Sequence, residues 1–287
     1  MRAFAFVALL LSPLPLFAWS APGHKITAQL AFDRLSPHAQ AEITSLLAKR
    51  GKKCGDPAKQ CAVETAVTLA DVAPLPDDFR NQEGGEVGRE WHFVDIERKN
   101  LAFVAQRDCA FDDCIVGRIQ RLKAMLADKH APAEQRADAL IYLTHFVGDI
   151  HQPFHCVTET KNGVSDNGGN GVKVSFAADV DLQPFPDEKP NLHSVWDRSI
   201  IATRHLSVDE YVARLKEILA TKNAGTIAGS MKVSDWANES HTLARKEYVA
   251  NGTTLDNAYF NKGREIVDEQ LLKGALRLQR LLEDALK

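Results

Sequence analysis

Three histidines and an aspartate fall within eleven residues, His145-Phe-Val-Gly-Asp-Ile-His-Gln-Pro-Phe-His155. Imidazole and carboxylate are donors that zinc and related divalent ions take. His145 and Asp149 are four apart, so on a helix they share one face a turn apart and can converge on one ion. Pro153 should end that helix and turn the chain, letting His155 approach from another direction. A second pair at the same spacing, His193 and Asp197, lies on a helix predicted to begin near Asn191. Asp71, where a helix runs into Pro74, and His92, in the run Trp91-His-Phe-Val-Asp-Ile96, make a looser third pair. The last candidates are Trp19 and His24 in Trp19-Ser-Ala-Pro-Gly-His24. If Trp19 begins the processed chain, its α-amino group has an ordinary pKa of about 7.7–8.0, so a metal displaces its proton at modest cost. With its own carbonyl oxygen that amine closes a five-membered chelate, and His24 can reach the same ion. Eight side chains and one main-chain chelate come close to the complement of three zinc ions, with positions open for water or substrate.

Helices must position these groups. Apolar residues recur at three- and four-residue spacing over 21–35, 37–50, 63–70, 115–128, 132–149, 192–204, 208–219, 234–248 and 255–286. Ser36-Pro37, Ser207 and Ser234 are predicted helix starts. One strand-like alternation, Val172 to Phe176, follows a Gly- and Asn-rich loop and predicts a small hairpin. The expected fold is all-α, a single mainly helical domain over residues 19–287. Long loops are expected at 73–91, 97–111 and 156–191, and loops of that length often line a site.

The 287 residues carry a formal charge of −3, so no massed Lys and Arg are available to meet nucleic-acid phosphates. Bound cations would have to supply that charge. Residues 1–18 read as a secretory signal peptide: Met1-Arg2, an apolar run, then a Pro-containing stretch ending at Ala18. No later apolar segment is long enough to span a membrane, so the expectation is a monomer without a membrane anchor, secreted or periplasmic, beginning at Trp19. Five cysteines agree with an oxidising compartment. Cys54 with Cys61 and Cys109 with Cys114 are the natural short-loop pairings, although four cysteines allow three connectivities. Cys156 is left over and is expected to be a buried thiol, with a soft metal ligand as the alternative.

The ligand set resembles that of the secreted trinuclear-zinc nucleases, the family of nucleases S-one and P-one. Trp19, His24, Asp71, His92, the run from His145 to His155, and His193-Ser-Val-Trp-Asp197 match it in order and local spacing, and Trp236-Ala-Asn-Glu-Ser240 resembles a late motif. The resemblance spans essentially the whole chain after residue 18 and implies a zinc phospholipase C type of helical fold. It implies that Asp71, His92, His145 and Asp149 hold one ion, that His155, His193 and Asp197 hold a second, and that Trp19, His24 and the bridging Asp149 hold a third. His151 would be a supporting hydrogen-bond partner rather than a ligand. The nucleophile would be metal-activated water and not a side chain, giving 5′-phosphorylated products from RNA and single-stranded DNA, with 3′-nucleotidase activity on mononucleotides. Phe93 would stack on a base, Asp95 would bind its edge, and Asn170 would contact the nucleotide. One departure stands out. The family often carries arginine three residues after the aspartate matched to Asp71, where this chain has Pro74; Arg80 or Arg89 are the substitutes on offer. Two other readings remain: a phospholipase C of the same fold, and a non-catalytic exported zinc-binding protein. The five-residue Trp-to-His interval and the His-x-x-x-Asp pair favour the nuclease.

Overall fold

A computed structural model describes residues 19–50, 67–80, 85–181 and 189–287. Helix Ala133–Asp149 lies at its centre. From Ala139 to Asp149 all but Tyr142 are buried, including His145 and Asp149. A helix without a polar face belongs inside a fold. Here Ile115–Ala127, Pro37–Lys49, Ala21–Phe32 and the long Asn257–Ala285 helix pack around it. The long helix buries Phe260, Val267, Leu271, Leu278 and Leu282, a stripe at helical spacing, against its neighbours. Two glycines let it come close. A Cβ on Gly263 would stand 2.8 Å from Ile200 Cδ1, and one on Gly274 would touch Thr27 and the His151 ring.

Local chemistry sets the helix ends. Ser36 caps Pro37–Lys49 by accepting from the Ala39 amide, with Pro37 in the first turn, where proline loses no helical hydrogen bond. Ser207 and Glu210 form a reciprocal capping box on Val208–Ala220. Helix Val233–Glu247 begins without a side-chain cap, one residue before Ser234. Thr68 caps the short helix Leu69–Val72, which overlaps the end of the predicted 63–70 helix and runs two residues past it; residues 63–66 lie outside the described residues.

Several expectations need correction. The segment predicted as one helix over 192–204 is a helical turn at Leu192–Ser194, a π-helical turn at Val195–Ser199 and a last turn at Ile200–Ala202. Val172 to Phe176 forms no hairpin. Strand Val174–Phe176 pairs in parallel with Thr253–Leu255, a partner no local pattern reveals. The hairpin lies earlier, joining Thr160–Lys161 to Val164–Ser165. The loop expected at 73–91 holds helix Leu75–Arg80 and the 3-10 turn Gly85–His92. The 97–111 loop holds the helical turn Ala105–Asp108 and ends at a disulfide, Cys109–Cys114, with Cα atoms 5.3 Å apart. Cys54, Cys61 and the proposed leader 1–18 lie outside the described residues. Cys156 is buried and unpaired, and burial pushes its thiol far above the usual range, as befits an inert core residue. No helix among the described residues is long and apolar enough to cross a membrane.

Candidate metal centre

The last turn of helix Ala133–Asp149 places His145 and Asp149 side by side, with His145 Nε2 3.1 Å from Asp149 Oδ2. His92, at the end of its 3-10 turn, brings Nδ1 to 2.9 Å from the same oxygen. His24, on helix Ala21–Phe32, brings Nε2 to 3.2 Å from the other oxygen, Oδ1. The two oxygens of one fully buried carboxylate thus face different histidines. Gly148 permits this approach, because a Cβ there would stand 2.8 Å from His24 Nδ1. Trp19 fixes the start of the His24 helix: its buried indole donates to the Gly148 carbonyl at 2.8 Å. The Ser20 amide donates to the Asp197 carbonyl at 3.0 Å, tying this end of the chain to the second histidine–aspartate pair.

The second cluster holds His155, His193 and Asp197, all buried. His193 Nε2 lies 3.4 Å from Asp197 Oδ2, and His155 Nε2 lies 3.8 Å from Oδ1. Three histidines are oriented by main chain. His145, His155 and His193 each donate Nδ1–H to a carbonyl, those of Ala73, His92 and Gly168, at 2.7 Å. That bond places the free lone pair on Nε2, the atom that points into the cluster. Gly168 sits at φ +65°, and a Cβ there would meet Phe154 O at 2.6 Å, so the loop carrying this anchor requires glycine.

Asp71 does not join these groups. Its carboxylate accepts from the Thr68 amide and hydroxyl in a capping box and is exposed to solvent. Asp77 takes the place expected for it, with Oδ1 3.5 Å from His145 Nε2 and 3.7 Å from His92 Nδ1. The chain breaks its helix near Pro74 and starts another at Leu75, which swings the later aspartate inward. Arg80 follows three residues on and pairs with Asp77 at 3.3 Å. The aspartate-to-arginine interval that Asp71 and Pro74 lack is therefore present at Asp77 and Arg80, a signal visible in the sequence. Arg80 is buried, whereas Arg89 is exposed.

The donors fit a divalent metal. His24 Nδ1 and Nε2, Asp149 Oδ1 and His155 Nε2 are buried yet make no hydrogen bond, an arrangement that is costly unless a cation satisfies them. Three groups have ligand atoms mutually within 4.8 Å: His24 with His145 and Asp149, Asp77 with His92 and His145, and His155 with His193 and Asp197. Electrostatics also call for positive charge. Burial opposes ionisation of Asp149, but His145 and His155 hold its carboxyl well below the usual range. Burial likewise opposes the charge on His145, yet Asp149 and Asp77 push that imidazole up to about 10. His92, dominated by burial, falls to about 4. Without an ion, protons on His145 and His155 balance the Asp149 charge; a zinc ion would take over that role and displace those protons.

The remaining candidates are placed less uniformly. Phe93 and Asp95 follow His92 along the rim, with Phe93 partly exposed and Asp95 exposed. Loss of hydration, then the charges of Glu90, Asp166 and Glu97, push the Asp95 carboxyl up to about 7. Asn170 turns its amide back to the Asn167 carbonyl at 2.7 Å, bracing the loop. His151 lies outside the clusters, donating to the Val147 carbonyl and accepting from Arg277 Nη1 at 2.8 Å. Gln152 was not singled out in the sequence. It is fully buried and donates from Nε2 to Asp197 Oδ1 while its own oxygen accepts from the Phe154 amide.

Known nucleases resemble the chain over nearly its whole described length. Endonuclease 1 of Arabidopsis thaliana is 29% identical over 96% of this chain and 90% of its own. Nuclease P1 of Penicillium citrinum is 25% identical over 91% of this chain and 95% of its own. Nuclease S1 of Aspergillus oryzae is 22% identical over 93% and 91%. The S1/P1 Nuclease family profile matches residues 19–287, from the tryptophan beside Gly148 to the last residue, and the chain belongs to that family.

Proposed function

We propose that this protein is a secreted zinc-dependent endonuclease that hydrolyses RNA and single-stranded DNA to 5′-phosphorylated products and removes 3′-phosphate from nucleotides. The observation that carries this reading is Asp149, whose two oxygens face His24 on one side and His92 and His145 on the other, as a ligand shared by two ions must. Zinc is the cofactor, three ions per chain, and supplies the positive charge and water activation that phosphodiester hydrolysis needs. In this reading His145, His92, Asp77 and Asp149 hold one ion, with Asp77 replacing Asp71. His155, His193 and Asp197 hold another. His24, Asp149 and the Trp19 amine and carbonyl hold the third.

The chain's own groups do the positioning. Main-chain carbonyls fix the tautomers of His145, His155 and His193, and Arg80 presents a buried Nη2 toward the Asp77 edge, suited to a phosphate oxygen. Phe93 offers an aromatic face that accepts any unpaired base, and Asp95 offers its edge a carboxyl that is half protonated near pH 7. The leader 1–18 would be removed to free the Trp19 amine. A chelator-sensitive assay tests the reading: zinc-loaded protein should cleave single-stranded oligonucleotides to 5′-phosphate ends and lose that activity in chelator. Intact oligonucleotide with fully loaded protein would sink it. A chain still carrying residues 1–18, whose Trp19 nitrogen is an amide, should bind one zinc fewer and lose most activity.

A further inference from the structure

Outside the metal centre the molecule carries a cleft of about 460 Å³ lined by Arg98, Lys99, Lys161, Arg245 and Lys246, against two carboxylates, Glu97 and Glu159. This is a concentration of positive charge on a chain whose formal charge is −3. Glu159 is already engaged, accepting from Arg98 at 2.8 Å and from Lys161 at 2.5 Å. Lys99, Arg245 and Lys246 make no side-chain ion pair or hydrogen bond among the described residues, so their charges remain for a ligand. Helix Val233–Glu247 presents Thr242, Arg245 and Lys246 at three- and four-residue spacing, on one face. The walls are fixed. The buried His241 ring sits between the Cys156 and Asn100 carbonyls at 2.8 and 2.9 Å, and Arg98 stacks on Tyr248 at 4.6 Å.

We infer that this cleft binds the sugar-phosphate backbone of a single-stranded substrate several nucleotides from the bond being cut. The inference rests on the nuclease reading and adds to it a second point of attachment. Continuity with the metal centre supports it. The chain leaving His92 runs beside the chain leaving His155, joined by Val94 to His155, Thr158 to Ile96 and Arg98 to Thr158 hydrogen bonds. Glu159, at the cleft wall, is four positions after His155, so their Cα atoms are at most about 14 Å apart. A stacked strand advances about 3.4 Å per nucleotide, so phosphates about four nucleotides from the scissile bond reach the cleft. A dinucleotide covers about one such step, so its contact with the cleft is small beside that of a longer strand. Volume and lining match a strand of phosphates better than an apolar ligand, since no aromatic or aliphatic side chain contributes a wall.

Three exposed or partly exposed side chains provide the test, in the zinc-loaded triple variant Lys99→Gln, Arg245→Gln, Lys246→Gln. Hydrolysis of a dinucleotide should be unchanged, which also shows that the variant folds and loads zinc. KM for a 20-nucleotide oligothymidylate should rise about tenfold, and the log–log dependence of kcat/KM on salt should become shallower by about 2, as three lost phosphate contacts on a single strand imply. Equal KM values for variant and wild type on the long substrate would overturn the inference. So would loss of binding to phosphatidylglycerol vesicles without any change on oligonucleotides, which would make the cleft a lipid-surface site. If wild type fails to hydrolyse even the dinucleotide, the nuclease reading itself falls.

Discussion

The two aspartates that follow a histidine by four residues sit on different scaffolds. His145 and Asp149 end a continuous α-helix whose last two turns are buried, and their nitrogen and oxygen lie 3.1 Å apart. His193 and Asp197 straddle a change from α to π geometry, and theirs lie 3.4 Å apart. The first pair is completed by groups from three other elements: His24 and His92, one on each oxygen of Asp149, and Asp77, against His92 and His145. The second is completed by His155 alone, at 3.8 Å, and Asp197 leans instead on the Gln152 amide. Equal spacing in sequence therefore gives a shared, charge-dense hub in one place and a looser, braced site in the other. π-turns often mark functional sites, and here the extra residue per turn rotates Asp197 toward Gln152 and His155.

Breaking the hub should cost most. Asp149→Asn is expected to release two of three zinc ions and lower kcat/KM by more than about 100-fold, beyond what loss of a supporting hydrogen bond causes; metal analysis on the purified variant checks it. Next comes the choice between two aspartates. Asp77→Ala should lose one zinc, whereas Asp71→Ala should keep all three and lose only its helix cap, at most about 1 kcal/mol in denaturant unfolding. The opposite assignment of losses would restore Asp71 as the ligand. At the braced site, Gln152→Ala should weaken one ion by about 10- to 100-fold in a competitive chelator titration while the other two stay bound.

The smallest effect concerns Asp95. Its folded carboxyl is raised to about 7 from an ordinary 3.8, so between those values the folded chain holds a proton that the unfolded chain has released. Its contribution therefore falls as pH rises from about 4 to 7 and stays lost above. Because the group is exposed, the slope is shallow. Asp95→Asn should flatten the melting temperature against pH in that window and stabilise the protein slightly above pH 7; a difference curve without slope would contradict this.

Much of the centre was legible because helices translate spacing into proximity. His145, Asp149, His193 and Asp197 follow from period alone, and Ser36, Pro37 and Ser207 announced their helices by capping chemistry. Asp77 was hidden by a competing aspartate six residues earlier, just before Pro74, and choosing between them required knowing where the chain re-enters a helix. The arginine interval favoured Asp77. The pairing of Val174–Phe176 with Thr253–Leu255 joins residues far apart in the chain, which alternation within one segment cannot specify. Gln152 was overlooked because a buried amide acting on a carboxylate has no signature in sequence.

Asp149 as the shared ligand is the claim on which the rest depends. Anomalous diffraction at the zinc edge, from crystals of the chain beginning at Trp19, tests it most directly. The account predicts three peaks, two of them on either side of the Asp149 carboxylate, beside His24 and among Asp77, His92 and His145, and the third among His155, His193 and Asp197. A single peak beside Asp149, or one at Asp71, would contradict it.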